Sequence, residues 1–289
     1  MFKGVFTALV TPFTSTGDVD YTRLKELVEF QVENGVDGIV PMGTTGESPT
    51  LSIAEHNEVV ETVVTAVAGR VKVVAGTGGN STSEALELTK HALAVGADAS
   101  LQVTPYYNKP SQEGLYRHFS KVADLGIPVI LYNVPGRTSR EITADTVVRL
   151  ATHPNIVALK EAGGSVERVS EVLDKCNICI LSGDDPLTLP MMVVGAKGVI
   201  SVASNVAPKQ VSDMVHHALD GNWEQAIMLH KKYFKLFKDM FIDTNPIPVK
   251  AALAMMGKIE EEYRLPLCEM TDSLKTKLAA TQKDVALLS

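Results

Sequence analysis

Eight short apolar runs in series, each followed by a segment of helical periodicity, constrain the fold of this chain more than any other feature. The runs span residues 4–10, 36–40, 71–75, 99–104, 129–132, 156–160, 178–181 and 198–202. They are continuously apolar rather than alternating, the pattern of parallel strands covered on both faces. Between them, residues such as Leu24, Leu27, Val28 and Val32 recur on one face of a helix. Ser52 with Glu55, and Ser81 with Glu84, match the capping-box spacing that opens a helix. Pro41 has no N–H to donate, so the second strand is expected to end at or before it.

Strand–helix units in series allow an open doubly wound sheet or a closed TIM (β/α)8 barrel, and eight of them favour the barrel. So do the polar residues, which cluster where most strands end rather than at one crevice. The strands stop near Gly221, dividing the chain into a catalytic barrel over residues 1–221 and a C-terminal helical extension over 222–289. Trp223, Tyr233, Phe234, Phe237 and Phe241 give that extension apolar surface to pack against the barrel or a second subunit.

The formal charge of −7 argues against a nucleic-acid surface, which needs basic patches. Three cysteines are an odd number and point to a reducing, cytoplasmic setting. Cys176-Asn177-Ile178-Cys179 has redox spacing, but Cys179 lies in an apolar run, where a thiol behaves as a small hydrophobe. Residues 1–13 lack the small-residue cleavage pattern of a signal peptide, and Lys197 interrupts the apolar stretch 191–207. Neither a leader nor a membrane span is therefore expected.

Lys160 ends the sixth apolar run, and alternation places it on the same side as Ile156 and Ala158, with Glu161 on the other. A strand's C-terminal end opens into the catalytic face of a barrel. Desolvation there disfavours an ammonium and leaves an amine able to attack a carbonyl. The strand pattern alone fits equally well a lysine whose stem lies in the core while its head reaches water. Tyr132 ends the preceding run and lands beside Lys160, where a phenol can shuttle protons. Gly43-Thr44-Thr45-Gly46-Glu47 offers backbone N–H groups and hydroxyls to a small anion, or forms a plain turn. The seven histidines show no metal-binding spacing. A protonated imine on lysine would withdraw electrons as a divalent ion does, so neither metal nor cofactor is expected.

With these residues the chain resembles the dihydrodipicolinate synthase family of the pyruvate-dependent class I aldolases, essentially end to end. The carrying segments include Val103-Thr104-Pro105-Tyr106-Tyr107-Asn108, Tyr132-Asn133-Val134-Pro135-Gly136-Arg137-Thr138, Lys160-Glu161-Ala162, Leu181-Ser182-Gly183-Asp184-Asp185 and Asn245-Pro246-Ile247-Pro248-Val249-Lys250. The resemblance implies a lyase that condenses pyruvate with L-aspartate 4-semialdehyde, the first committed step of diaminopimelate and lysine biosynthesis. It makes Lys160 the imine-forming residue and Tyr132 the proton donor and acceptor. Tyr132 would be linked through Thr44 to Tyr107, which enters from a neighbouring subunit of a homotetramer. Thr45 and the main chain near Ile200 would hold the pyruvate carboxylate, and Arg137 the carboxylate of the semialdehyde through a bidentate fork.

N-Acetylneuraminate lyases and keto-deoxy-sugar aldolases share the barrel, the lysine and the tyrosine but generally lack the Pro-Gly-Arg-Thr segment. A non-catalytic, pyruvate-binding paralogue would have no need of the intact relay. His56, Asn80, Glu84 and Tyr106 match positions that bind lysine as a feedback inhibitor in sensitive members. Ile53 and Pro49 depart from that pattern.

Overall fold

The computed structural model describes residues 2–288. Eight strands close a barrel in sequence order: β1 (Gly4–Ala8), β2 (Gly38–Val40), β3 (Lys72–Gly76), β4 (Ala99–Val103), β5 (Val129–Asn133), β6 (Ile156–Glu161), β7 (Cys179–Ser182) and β8 (Gly198–Ser201). Every pairing is parallel, and β1 joins β8 to complete the ring. β2 ends at Val40, immediately before Pro41, as the missing N–H requires.

The continuity of the apolar runs follows from two cores separated by one strand thickness. Phe6, Val40, Val74, Leu101, Ile130 and Ile200 fill the barrel interior. Val5, Ile39, Val73, Leu131, Leu159 and Val199, from the same strands, face the surrounding helices. At the closing seam Gly4 pairs with Gly198, whose φ is +148°. A Cβ on Gly198 would lie 1.9 Å from the Gly4 carbonyl oxygen, so only glycine lets the seam shut.

Two local expectations are corrected. Ala158 lies with Lys160 on the inner face, but Ile156 belongs to the outer core. The register between β5 and β6 shifts at Val129/Ile130, and such an irregularity breaks the two-residue alternation. Ser52 and Glu55 form the complete reciprocal capping box at helix Ile53–Val67. Ser81 opens helix Thr82–Ala94 without a side-chain cap, because its hydroxyl bonds Ser83 Oγ at 2.9 Å. Glu84 is thereby left to another role.

Beyond the barrel, helices Trp223–Asp239, Ile247–Met255 and Asp272–Asp284 fold back onto it. Tyr233, Leu236, Phe237, Val249 and Leu253 join the outer core, whereas Ile227 and Phe234 face solvent. No helix among the described residues is long and apolar enough to cross a membrane.

At the base of the barrel, Asp37 accepts the Val5 N–H at 2.8 Å and His216 Nε2 at 2.8 Å, joining β1 to helix Pro208–Leu219. The bond to Asp37 raises the His216 pKa, so protonation is favoured in the folded state. This contribution is complete below the unfolded imidazole's pKa, about 6.5, and disappears as pH rises through the folded value. The His216 side chain is 41% exposed, which holds the effect to about 1 kcal/mol or less. A melting temperature that falls between pH 6 and 8, with the slope flattened in His216→Asn, is the expected result of thermal scans.

Candidate active site

β5 and β6 pair in a register that sets Tyr132 directly beside Lys160. Both side chains enter the C-terminal mouth of the barrel, with Lys160 Nζ 4.1 Å from the Tyr132 ring centroid. Lys160 is 6% exposed, so its amine is withdrawn from bulk water while still lining a cavity of about 340 Å³. Room for its stem comes from Gly183 at the end of β7, where a Cβ would sit 3.0 Å from Lys160 Cε.

Glu161, one residue on, faces the other way. It accepts bonds from Asn133 Nδ2 at 2.9 Å, Gly163 N at 2.7 Å and Arg168 Nε at 3.0 Å. Its charge is committed to that outer network and does not neutralise Lys160.

Directly after Pro41 the chain turns through a short 3-10 segment, Thr44–Gly46, pinned by Thr11 Oγ1 on the Gly46 carbonyl at 2.7 Å. Thr44 and Thr45 both line the cavity. Asn245 Nδ2 donates to Thr45 Oγ1 at 3.0 Å, which frees the Thr45 hydroxyl proton to bind an anion. Arg137, from the segment after β5, reaches the same cavity and donates from Nη2 to the Asn245 carbonyl at 3.0 Å. Thr44 and Tyr132 line it together without a hydrogen bond between them among the described contacts.

Two of the named residues lie outside this cavity. Ile200 is buried in the barrel interior, and Val202 at the same strand end lines the cavity instead. Tyr107 is 91% exposed on the loop after β4, held at a φ of +72°. Conversely, Asp184, Lys238, Phe241 and Asn245 line the cavity without having been singled out as site residues. Asp184 carried a signal, since it follows a barrel strand. Lys238, Phe241 and Asn245 come from the C-terminal extension, whose return over the mouth has no local sequence signature.

A second cavity shares Thr44, Tyr132 and Arg137 with the first and extends to Tyr106. A smaller one beyond it is lined by His56, Glu84 and Tyr106, together with Pro49 and Ile53. His56 Nε2 meets the Gly76 carbonyl at 2.9 Å, and burial lowers the imidazole's pKa and keeps it neutral. Asn80 does not line it and connects to it only through Tyr106, whose carbonyl its Nδ2 meets at 3.3 Å.

Elsewhere, burial pushes the Cys179 thiol up to about 11, the opposite of what a reactive thiolate requires. Among the described residues no group of three or more His, Cys, Asp or Glu side chains is arranged to hold a metal ion.

With Lys160 and Tyr132 side by side at the barrel mouth, residues 1–285 match the dihydrodipicolinate synthetase family. The chain belongs to that family. A 4-hydroxy-tetrahydrodipicolinate synthase from Geobacter sulfurreducens is 55% identical over 291 residues, covering 100% of both chains. The chloride-inhibited dihydrodipicolinate synthase of Acinetobacter baumannii, solved with pyruvate, is 45% identical with a TM-score of 0.98 over 100% of both chains. The enzyme of Cyanidioschyzon merolae, solved with lysine bound, is 45% identical with a TM-score of 0.96 over 99% of both chains. Membership in this family gives each convergent group described above a candidate role in one reaction.

Proposed function

We propose that this chain catalyses the 4-hydroxy-tetrahydrodipicolinate synthase reaction, the condensation of pyruvate with L-aspartate 4-semialdehyde, through an imine on Lys160. The observation that carries this reading is the buried Lys160 amine, 4.1 Å from the Tyr132 ring centroid in a cavity that also holds Thr45 and Arg137. The amine adds to the pyruvate ketone and water leaves. Loss of a methyl proton from the imine gives an enamine, whose carbon attacks the aldehyde. The semialdehyde's own nitrogen then displaces Lys160 as the ring closes. Tyr132 moves protons in these steps, and the free hydroxyl proton of Thr45 meets the pyruvate carboxylate. Arg137 receives the second carboxylate, a planar fork matched to that group.

Full-length identity of 55% to a named synthase supports this reading over the sugar-acid lyases of the same superfamily. The assay follows pyruvate consumption with either aldehyde. Turnover with L-aspartate 4-semialdehyde and none with N-acetylmannosamine is expected; the reverse preference contradicts the proposal.

The reading extends to a homotetramer in which Tyr107 completes the proton relay of a neighbouring chain; its 91% exposure and its place outside the lining of its own chain's cavity support this. It extends also to lysine as a ligand of the small cavity, where Glu84 would pair with an amine and neutral His56 accept a hydrogen bond. Initial rates should fall in millimolar lysine, and unchanged rates would reject that site.

A further inference from the structure

The two strand ends that present Tyr132 and Lys160 to the cavity carry a buried polar cluster on their other face. Asn133 and Glu161 are the next residues along, pair with each other in the β5–β6 ladder, and are both fully buried. Asn133 Nδ2 donates to Glu161 Oε1 at 2.9 Å and to Oε2 at 3.1 Å. The Gly163 N–H donates to Oε1 at 2.7 Å, and Arg168 Nε, from helix Val166–Lys175, to Oε2 at 3.0 Å. Burial raises the Glu161 carboxyl pKa, and these three donors oppose the rise. Two residues earlier the same strands fill this face with Leu131 and Leu159. Packing alone therefore gives no reason for a charge here, since apolar residues of similar volume often replace a buried ion pair without loss of stability.

The register of these strands needs a pin at this end. Val129 pairs with Ile156 but Ile130 with Ala158, so the alignment at the base of the ladder does not carry through to the Tyr132–Lys160 pair. The Asn133–Glu161 bonds close the ladder immediately beyond that pair. Asn133 Oδ1 also accepts the Ile142 N–H at 3.0 Å, while Arg168 donates to the Ile142 carbonyl and pairs with Glu141 at 3.2 Å. The cluster thus ties both catalytic strand ends to the far end of the segment that carries Arg137.

We propose that Glu161 is a positioning residue: through Asn133 and Arg168 it holds Tyr132 in the pose toward Lys160 that proton transfer on the imine requires. The inference rests on the imine reading given above and assigns Glu161 to the step after the imine forms. In that step a methyl C–H bond of the pyruvate imine breaks, and its electron pair becomes the enamine double bond. The imine π pair returns to Lys160 Nζ, and the proton leaves by way of the Tyr132 hydroxyl, which passes its own proton to water. The amount of imine at equilibrium depends on the amine and on pyruvate, whereas the rate of methyl proton loss depends on where Tyr132 stands. Moving one strand end therefore separates the two quantities.

The test uses pyruvate alone, without the aldehyde. Borohydride trapping on Lys160 at saturating pyruvate gives the extent of imine, and deuterium entering the pyruvate methyl group from D2O, followed by NMR, gives the rate of proton transfer. In Glu161→Ala, trapping per folded protein should stay within about twofold of the parent. Methyl exchange should fall about 100-fold, the scale of a misplacement of roughly 1 Å. Glu161→Gln combined with Arg168→Met keeps an acceptor for Asn133 and Gly163 and strands no charge, so it should bring exchange back to within about tenfold of the parent. Should Glu161→Ala not fold, Gly163→Ala displaces the same carboxylate from an exposed position, since the added Cβ would stand 2.7 Å from Glu161 Oε1. There exchange should fall about tenfold with trapping unchanged. Exchange at the parent's rate, exchange that falls only as far as trapping does, or a double variant as slow as Glu161→Ala would overturn the inference. Failure of trapping in the unaltered enzyme would instead overturn the imine reading on which it stands.

Discussion

Lys160→Ala should remove turnover by on the order of 10⁴-fold or more, the scale seen when a covalent nucleophile is lost. The fold should survive. The substitution deletes packed methylenes, which destabilises, and a desolvated amine head, which relieves a cost, so the two effects oppose each other. Steady-state assays beside thermal melts read both quantities on the same preparation. Activity within tenfold of the parent would point to another nucleophile, while a collapsed melting transition would make Lys160 a structural residue first. The stem packs against Gly183 and the amine lies over the Tyr132 ring, so neither the strand register nor the barrel closure depends on the amine itself.

The second large effect lies beneath the threonine turn. Glu47 sits in the left-handed region at φ +54°, its Oε1 bonded at 2.5 Å to Lys250 Nζ with both side chains fully buried. Its Oε2 accepts the Arg264 N–H at 3.2 Å, and Lys250 Nζ lies 4.1 Å from the Phe13 ring centroid. Arg264 itself caps the Thr50 carbonyl and holds the Glu55 carboxyl down to about 2. The C-terminal extension is thus anchored to the segment that carries Thr44 and Thr45. Removing one partner strands a buried charge, so Glu47→Gln or Lys250→Met should each cost about 3–5 kcal/mol in urea unfolding. The double variant leaves no unpaired charge and should recover most of that loss, giving a large coupling energy in the cycle. Single variants within 1 kcal/mol of the parent would show that the pair is not a structural anchor.

Much of the architecture was legible because a parallel barrel strand is buried on both faces and therefore reads as an unbroken apolar run. Pro41 marked the end of β2 for a covalent reason that no tertiary context can override. Lys160 and Tyr132 were legible as neighbours because sequential strands of a barrel lie side by side and both residues close their runs. Ile156 was not, since the shift beside Val129 is set by cross-strand fit rather than by its own segment. Ser81 had the spacing of a cap, but a nearer hydroxyl on Ser83 won the bond. The place of Asn245, Lys238 and Phe241 in the cavity was not legible, because they reach it only after the extension folds across the mouth.

The central claim is that the Lys160 amine forms an imine with pyruvate. The most direct measurement is borohydride reduction in the presence of pyruvate, followed by proteolysis and peptide mass mapping. The account predicts one pyruvate-derived adduct, on the peptide containing Lys160 and on that residue. An adduct on another lysine, or none at all while turnover persists, would contradict it.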